Sequence, residues 1–130
     1  MLSISPIYSS LLIALIVFLA YRVTTFRQGE GIALGDASAS NAMKRSVRAH
    51  ANAIENIPVS LILLLMLELN QLTPWLLHCF GLVLLFSRLV HAWGLSHKTG
   101  PSKGRFYGTL FTWLCLACML VVNVLLVLTR

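Results

Sequence analysis

Four long apolar stretches, separated by short polar segments, make up almost the whole chain. The first, from about residue 4 to residue 26, carries no charge before Arg22 and supplies the roughly 20 apolar residues that a bilayer core requires. Its uncharged start, Met1 to Tyr21, lacks a basic leader and a small-residue cleavage pattern, so it reads as a retained first span and not as a signal peptide. Further helices are predicted over about 42–69, 75–96 and 105–129, the last without a charge from Phe106 to Thr129. Between the second and third helices, Asn70 to Thr73 is only a turn, and Pro74 follows where proline suits the first helical position. Helices joined so tightly are expected to pack antiparallel. Gln28 to Asn41, rich in glycine, serine and asparagine, reads as the longest loop, and Ser40 or Asn41 can cap the helix after it. Ser96 to Gly104 is a second polar loop. The pattern predicts an all-α, integral membrane four-helix bundle, a single domain over residues 1–130.

Polar residues break the pattern most sharply in Lys44 to Pro58, KRSVRAHANAIENIP. At about 100° per residue, Arg45, Arg48, Asn52 and Glu55 fall within roughly 80° of one another and form one polar stripe. A charge near the bilayer centre costs on the order of 2.5 to 3.5 kcal/mol, so lipid is not what this stripe faces. Either Arg48 and Glu55 are a structural pair joining helices, or the stripe lines a pocket for a charged ligand. The second reading accounts for two arginines, an amide and a carboxylate, more than one ion pair needs. Pro58 cannot donate to the carbonyl of Ile54, which leaves an acceptor beside Glu55. Arg88 and His91, three apart, share a face of the third helix, at the end that antiparallel packing brings beside the start of the second. Arg88 can therefore approach Glu55 or the same ligand.

Composition narrows the class. With 58% hydrophobic and 11% charged residues, the chain is outside the soluble range. The net charge of +6 sits beside apolar spans and forms no soluble basic face, which excludes nucleic acid and favours a membrane surface and an anionic small ligand. Basic residues flank the first and third loops but not the second, so both termini are expected outside the cytoplasm. Cys79, Cys115 and Cys118 lie in apolar runs, and packing is the expected role of the C-x-x-C pair. His50, His78, His91 and His97 share no face and lack thiolate or carboxylate company at ligand spacing, so no metal site is expected. The glycines of GEGIALG follow no strand and make no dinucleotide fingerprint.

The pattern R-x-x-R-A-H-x-N-x-x-E-x-x-P, from Arg45 to Pro58, resembles the second-helix signature of the MAPEG family, the membrane-associated proteins in eicosanoid and glutathione metabolism. The resemblance runs through nearly the whole chain and is to the short bacterial members. It implies a homotrimer with sites between subunits, glutathione as co-substrate, and a second, lipophilic substrate arriving through the bilayer. It further implies that Arg105 at the start of the fourth helix stabilises the thiolate, and that Arg27, placed 21 residues before Arg48, reaches the ligand, with Arg22 as the alternative. Arg45, Arg48, Asn52, Glu55, Arg88 and His91 would complete the glutathione site. His50 points nearly opposite the stripe, so it would touch the ligand only from a neighbouring subunit. Leu95 stands where several members have a ligand-binding tyrosine. The resulting expectation is a glutathione transferase or peroxidase at the cytoplasmic side of a bacterial inner membrane. The alternative is a non-enzymatic membrane protein, an exporter or assembly factor, with a structural ion-pair network.

Overall fold

The computed structural model of the chain describes residues 3–35, 37–98 and 100–129, so the first two residues of the predicted Met1 to Tyr21 span, one position in each polar loop and Arg130 lie outside the described residues. Four helices are present: α1 (Ser5–Glu30), α2 (Asn41–Leu69), α3 (Pro74–His97) and α4 (Lys103–Leu128). Each is long and apolar enough to cross a membrane. The chain is an all-α four-helix membrane bundle.

Helix ends follow local chemistry. The first helix runs past its predicted exit at residue 26 to Glu30, where Gly31, at φ +67°, adopts the left-handed conformation that ends it. The predicted loop is shortened accordingly. Ser40 caps α2, its Oγ accepting from the Met43 N–H at 3.1 Å. No acidic residue stands in the first turn of α2, yet the Glu30 carboxylate accepts from Ser40 N at 2.9 Å and Ser40 Oγ at 2.5 Å. The end of α1 thus lends the basic start of α2 the negative charge its dipole favours. In the tight α2–α3 turn, Gln71 takes a positive φ of 59° and Leu72 N–H reaches back to Leu67 O at 3.0 Å.

Buried positions recur at intervals of three or four: Ser46, Ala49, Ala53, Ile57, Ser60, Leu64 and Leu67 on α2, and Leu77, Gly81, Leu84, Arg88, His91 and Leu95 on α3. That is the seam of near-parallel helix packing. Outward positions such as Val17, Phe18, Leu114 and Leu125 are half exposed or more and wholly apolar, as a lipid-facing surface requires. Among the described residues α2 and α3 touch each other and both flanking helices, whereas α1 and α4 make no contact with one another. The two outer helices stand on opposite sides of the central pair.

Small residues set the closest approaches. A Cβ on Gly108 would lie 2.5 Å from His91 Cβ and 2.8 Å from its Cα, and one on Gly94 would lie 2.7 Å from Arg105 N. This close α3–α4 contact is the small-residue packing typical of membranes. At the other end, the Glu68 carboxylate caps α1 from outside its own helix, accepting from the N–H groups of Ser3, Ile4 and Ser5 at 2.7, 2.9 and 2.7 Å and from Ser5 Oγ. Asn70 Nδ2 donates to Asn123 Oδ1 at 2.8 Å, tying the end of α2 to α4. Cys115 is buried as its setting predicts, but Cys118 and Cys79 are exposed and all three are free thiols.

Candidate functional site

Helices α2, α3 and α4 bring a polar cluster together inside an apolar bundle. Arg88 on α3 is only 2% exposed. Its Nη2 donates to Asn52 Oδ1 on α2 and to His91 Nδ1 at 3.2 Å, and its Nη1 reaches Thr112 Oγ1 on α4 at 3.5 Å. Thr112 in turn donates to the Gly108 carbonyl at 2.7 Å and lies 3.0 Å from Ser87 Oγ. Among the described residues the buried Arg88 Nε has no partner, an omission that costs about 1 to 3 kcal/mol. Arg88 is therefore not paired with Glu55, which corrects one of the two roles the sequence allowed it. Glu55 is exposed. A neutral amide and an imidazole meet the guanidinium because they, unlike Glu55, face the interior of the bundle.

Above the cluster opens a cleft of about 740 Å³, lined by Asn52, His91, Arg105, Phe106, Thr109, Leu110 and Trp113 together with Gly100 to Ser102 of the α3–α4 connection. Of the residues singled out in the sequence, Asn52, His91 and Arg105 converge here. Arg105 Nη1 donates to Gly100 O at 3.1 Å, which holds the side chain against the connection at the cleft mouth. The capping hydroxyl of Ser102 accepts from Arg105 N at 3.3 Å.

The remaining candidates lie elsewhere. Arg48 and Glu55 are exposed on α2, one turn to either side of Asn52. Arg45 Nε donates to Ser96 O at 3.1 Å and Arg22 Nη1 to Ser96 Oγ at 2.7 Å, so both cations sit at the C-terminal end of α3, where the helix dipole favours them. Arg27 Nη1 is turned onto the loop that follows its helix, donating to the carbonyls of Ile32, Ala33 and Gly35 at 3.4, 3.4 and 3.1 Å. It stands on α1, which does not touch α4. His50 is half-buried and does not line the cleft. Among the described residues no cluster of three metal-ligating side chains occurs.

Ser87, Thr112 and the glycines of the α3–α4 seam were not singled out from the sequence. The signal existed: Gly104, Gly108 and Thr112 repeat at four-residue spacing, a small-residue stripe on which a second helix can lie closely.

A profile of the MAPEG family matches residues 5–125 of the chain. The chain is similar to the protein named "Inner membrane protein YecN" from Escherichia coli K12, 32% identical over 120 residues that make up 92% of this chain and 89% of the relative. The protein of the same name from Escherichia coli O6:H1 strain CFT073 is similar to the same degree, 32% over 120 residues.

Proposed function

The chain belongs to the MAPEG family, and on that footing we propose that it is a glutathione transferase or peroxidase acting on lipophilic electrophiles at the cytoplasmic side of an inner membrane. The observation that carries this reading is the convergence of Asn52, His91 and Arg105 on one cleft over buried Arg88. An anionic peptide suits such a place better than a cation does. Arg105 at the mouth serves as the cation for the thiolate, and Asn52 and His91 meet the peptide's acceptors. Arg48 and Glu55, flanking Asn52 on the exposed face, take a terminal carboxylate and the amino group. Arg27, Arg45 and His50 are offered to the ligand across a subunit boundary in a homotrimer, since none of them reaches the cleft of its own chain.

The chemistry rests on ionising the thiol. A free thiol of ordinary pKa, near 8.5, is a weak nucleophile at neutral pH, and a neighbouring cation raises its thiolate fraction. In conjugation the thiolate attacks the carbon bearing the leaving group, so that an S–C bond forms and chloride departs from a chlorinated aromatic. In peroxide reduction it attacks the distal oxygen of a lipid hydroperoxide, the O–O bond breaks, an alcohol leaves, and a second glutathione converts the sulfenic acid to a disulfide and water. Phe106, Leu110 and Trp113 give the cleft an apolar side along α4, by which a lipophilic substrate arrives from the bilayer.

Calorimetric titration of the detergent-solubilised protein with glutathione and with its S-alkyl analogue, followed by ultraviolet detection of bound thiolate near neutrality, tests the reading. Binding of both ligands, thiolate absorbance with glutathione only, and loss of that absorbance in Arg105→Ala are expected. Lowering a thiol pKa by one unit corresponds to about 1.4 kcal/mol, enough to give a clear signal. Glutathione bound with no thiolate below pH 8 would leave a binding or structural role as the better account.

A further inference from the structure

Arg88 touches two of the cleft residues and is itself hidden from the cleft. It has donors only, so each of its contacts fixes the polarity of the group it meets. The Asn52 atom facing it must be the carbonyl oxygen, and the His91 nitrogen facing it must be an unprotonated Nδ1. Neutral His91 then carries its proton on Nε2, and Asn52 keeps both amide hydrogens for another direction. Neither Asn52 Nδ2 nor His91 Nε2 has a protein partner among the described residues, and neither is among the enclosed unpartnered atoms. Both residues line the cleft. We propose that Arg88 is a positioning residue that turns the Asn52 amide NH₂ and the His91 Nε2–H into the cleft, so that its floor offers donors alone and takes a carboxylate or peptide carbonyl.

The inference rests on the glutathione reading and sharpens it. With Arg105 at the mouth, the described lining holds one cation and no carboxylate, and its hydroxyls, Ser102 and Thr109, can donate as well as accept. A carboxylate or amide carbonyl of the tripeptide belongs over that floor, and the amino group belongs away from it, toward Glu55. The Ser87–Thr112 pair helps to hold the arrangement, because Thr112 offers Arg88 an oxygen while its own proton goes to the Gly108 carbonyl.

Nitrogen-15 NMR of the histidines in ligand-free protein tests the positioning without reference to glutathione. His91 is assigned by its loss in His91→Gln. It should show a protonated Nε2 and a bare Nδ1 at neutral pH, should lose that preference in Arg88→Met, and should regain most of it in Arg88→Lys. A His91 protonated on Nδ1 in the wild type, or unchanged in a folded Arg88→Met, would overturn the proposal. The donor floor is tested separately by Asn52→Asp, which keeps an oxygen for Arg88 but replaces the amide NH₂ that faces the cleft. It should stay folded and bind glutathione at least tenfold more weakly than the wild type. Equal binding would also overturn the proposal. A wild type that binds no glutathione yet shows the Nε2–H tautomer and its loss in Arg88→Met would count against the glutathione reading, while the positioning by Arg88 would stand.

Discussion

At the scale of single residues, polar groups within the bundle are answered by particular partners, and the partners are not always those of opposite charge. Arg88 takes an amide, an imidazole and a hydroxyl, whereas Glu55 faces outward. Helical angles put Asn52 and Glu55 on one stripe, but they do not say which edge of that stripe is buried. That depends on where α3 and α4 lie. Glu68 makes the same point from the other end of α2. Near the far end of that helix, it accepts four hydrogen bonds from residues more than sixty positions away. It acts as the capping group that α1 lacks in its own chain segment, since Ile4 offers no side-chain oxygen. Loss of a cap costs about 0.5 to 2 kcal/mol, and hydrogen bonds to a charged acceptor lie at the strong end of the range. Glu68→Ala is therefore expected to lower the thermal midpoint in detergent, by an amount corresponding to about 2 kcal/mol. Glutathione affinity should be unchanged, because the cleft lies toward the opposite end of α2. A normal melting curve, or weakened binding with normal melting, would contradict this role.

At the scale of elements, the helices themselves were legible from hydropathy because a span must satisfy its backbone internally and present apolar side chains to lipid. The ends were less so. The helix α1 continues through Arg27 to Glu30 because polarity alone does not stop a helix, and the glycine in a left-handed conformation at position 31 does. The α3–α4 seam was not read at all, since hydropathy scores glycine as neutral while packing depends on what faces it. A Cβ at Gly108 meets the α3 backbone at His91, which cannot swing aside as a side chain would. Overpacking of this kind costs about 1 to 3 kcal/mol. Gly108→Ala should force α3 and α4 apart, lower the thermal midpoint and weaken glutathione binding by displacing His91. The comparison is Gly29→Ala, where nothing lies within 4 Å and neither quantity should fall. Equal behaviour of the two variants would show that the seam does not position the site.

At the scale of the whole molecule, loop charges and the layout of helices make separate predictions. From the basic residues on the first and third connections, the positive-inside rule predicts that these lie in the cytoplasm and both termini outside. A cysteine introduced at Ser38 or Ser102 should then react with a membrane-impermeant label only from the cytoplasmic side, and labelling from outside would reverse the orientation. The layout bears on assembly. Arg27 on α1 and Arg105 on α4 stand on opposite sides of the α2–α3 pair, α1 and α4 do not touch, and His50 does not line the cleft. If Arg27 and His50 serve a ligand, the ligand is held by Arg105 of a different subunit. Subunits carrying Arg27→Ala with His50→Ala should be inactive by themselves, as should subunits carrying Arg105→Ala. Mixed in equal amounts, they should recover activity, because at roughly a quarter of the boundaries in a closed ring of identical sites both halves are intact. A site held within one chain would give no recovery in any mixture. Recovery to about a quarter of the wild-type activity, with the trimeric mass seen in detergent, would put the active site between subunits.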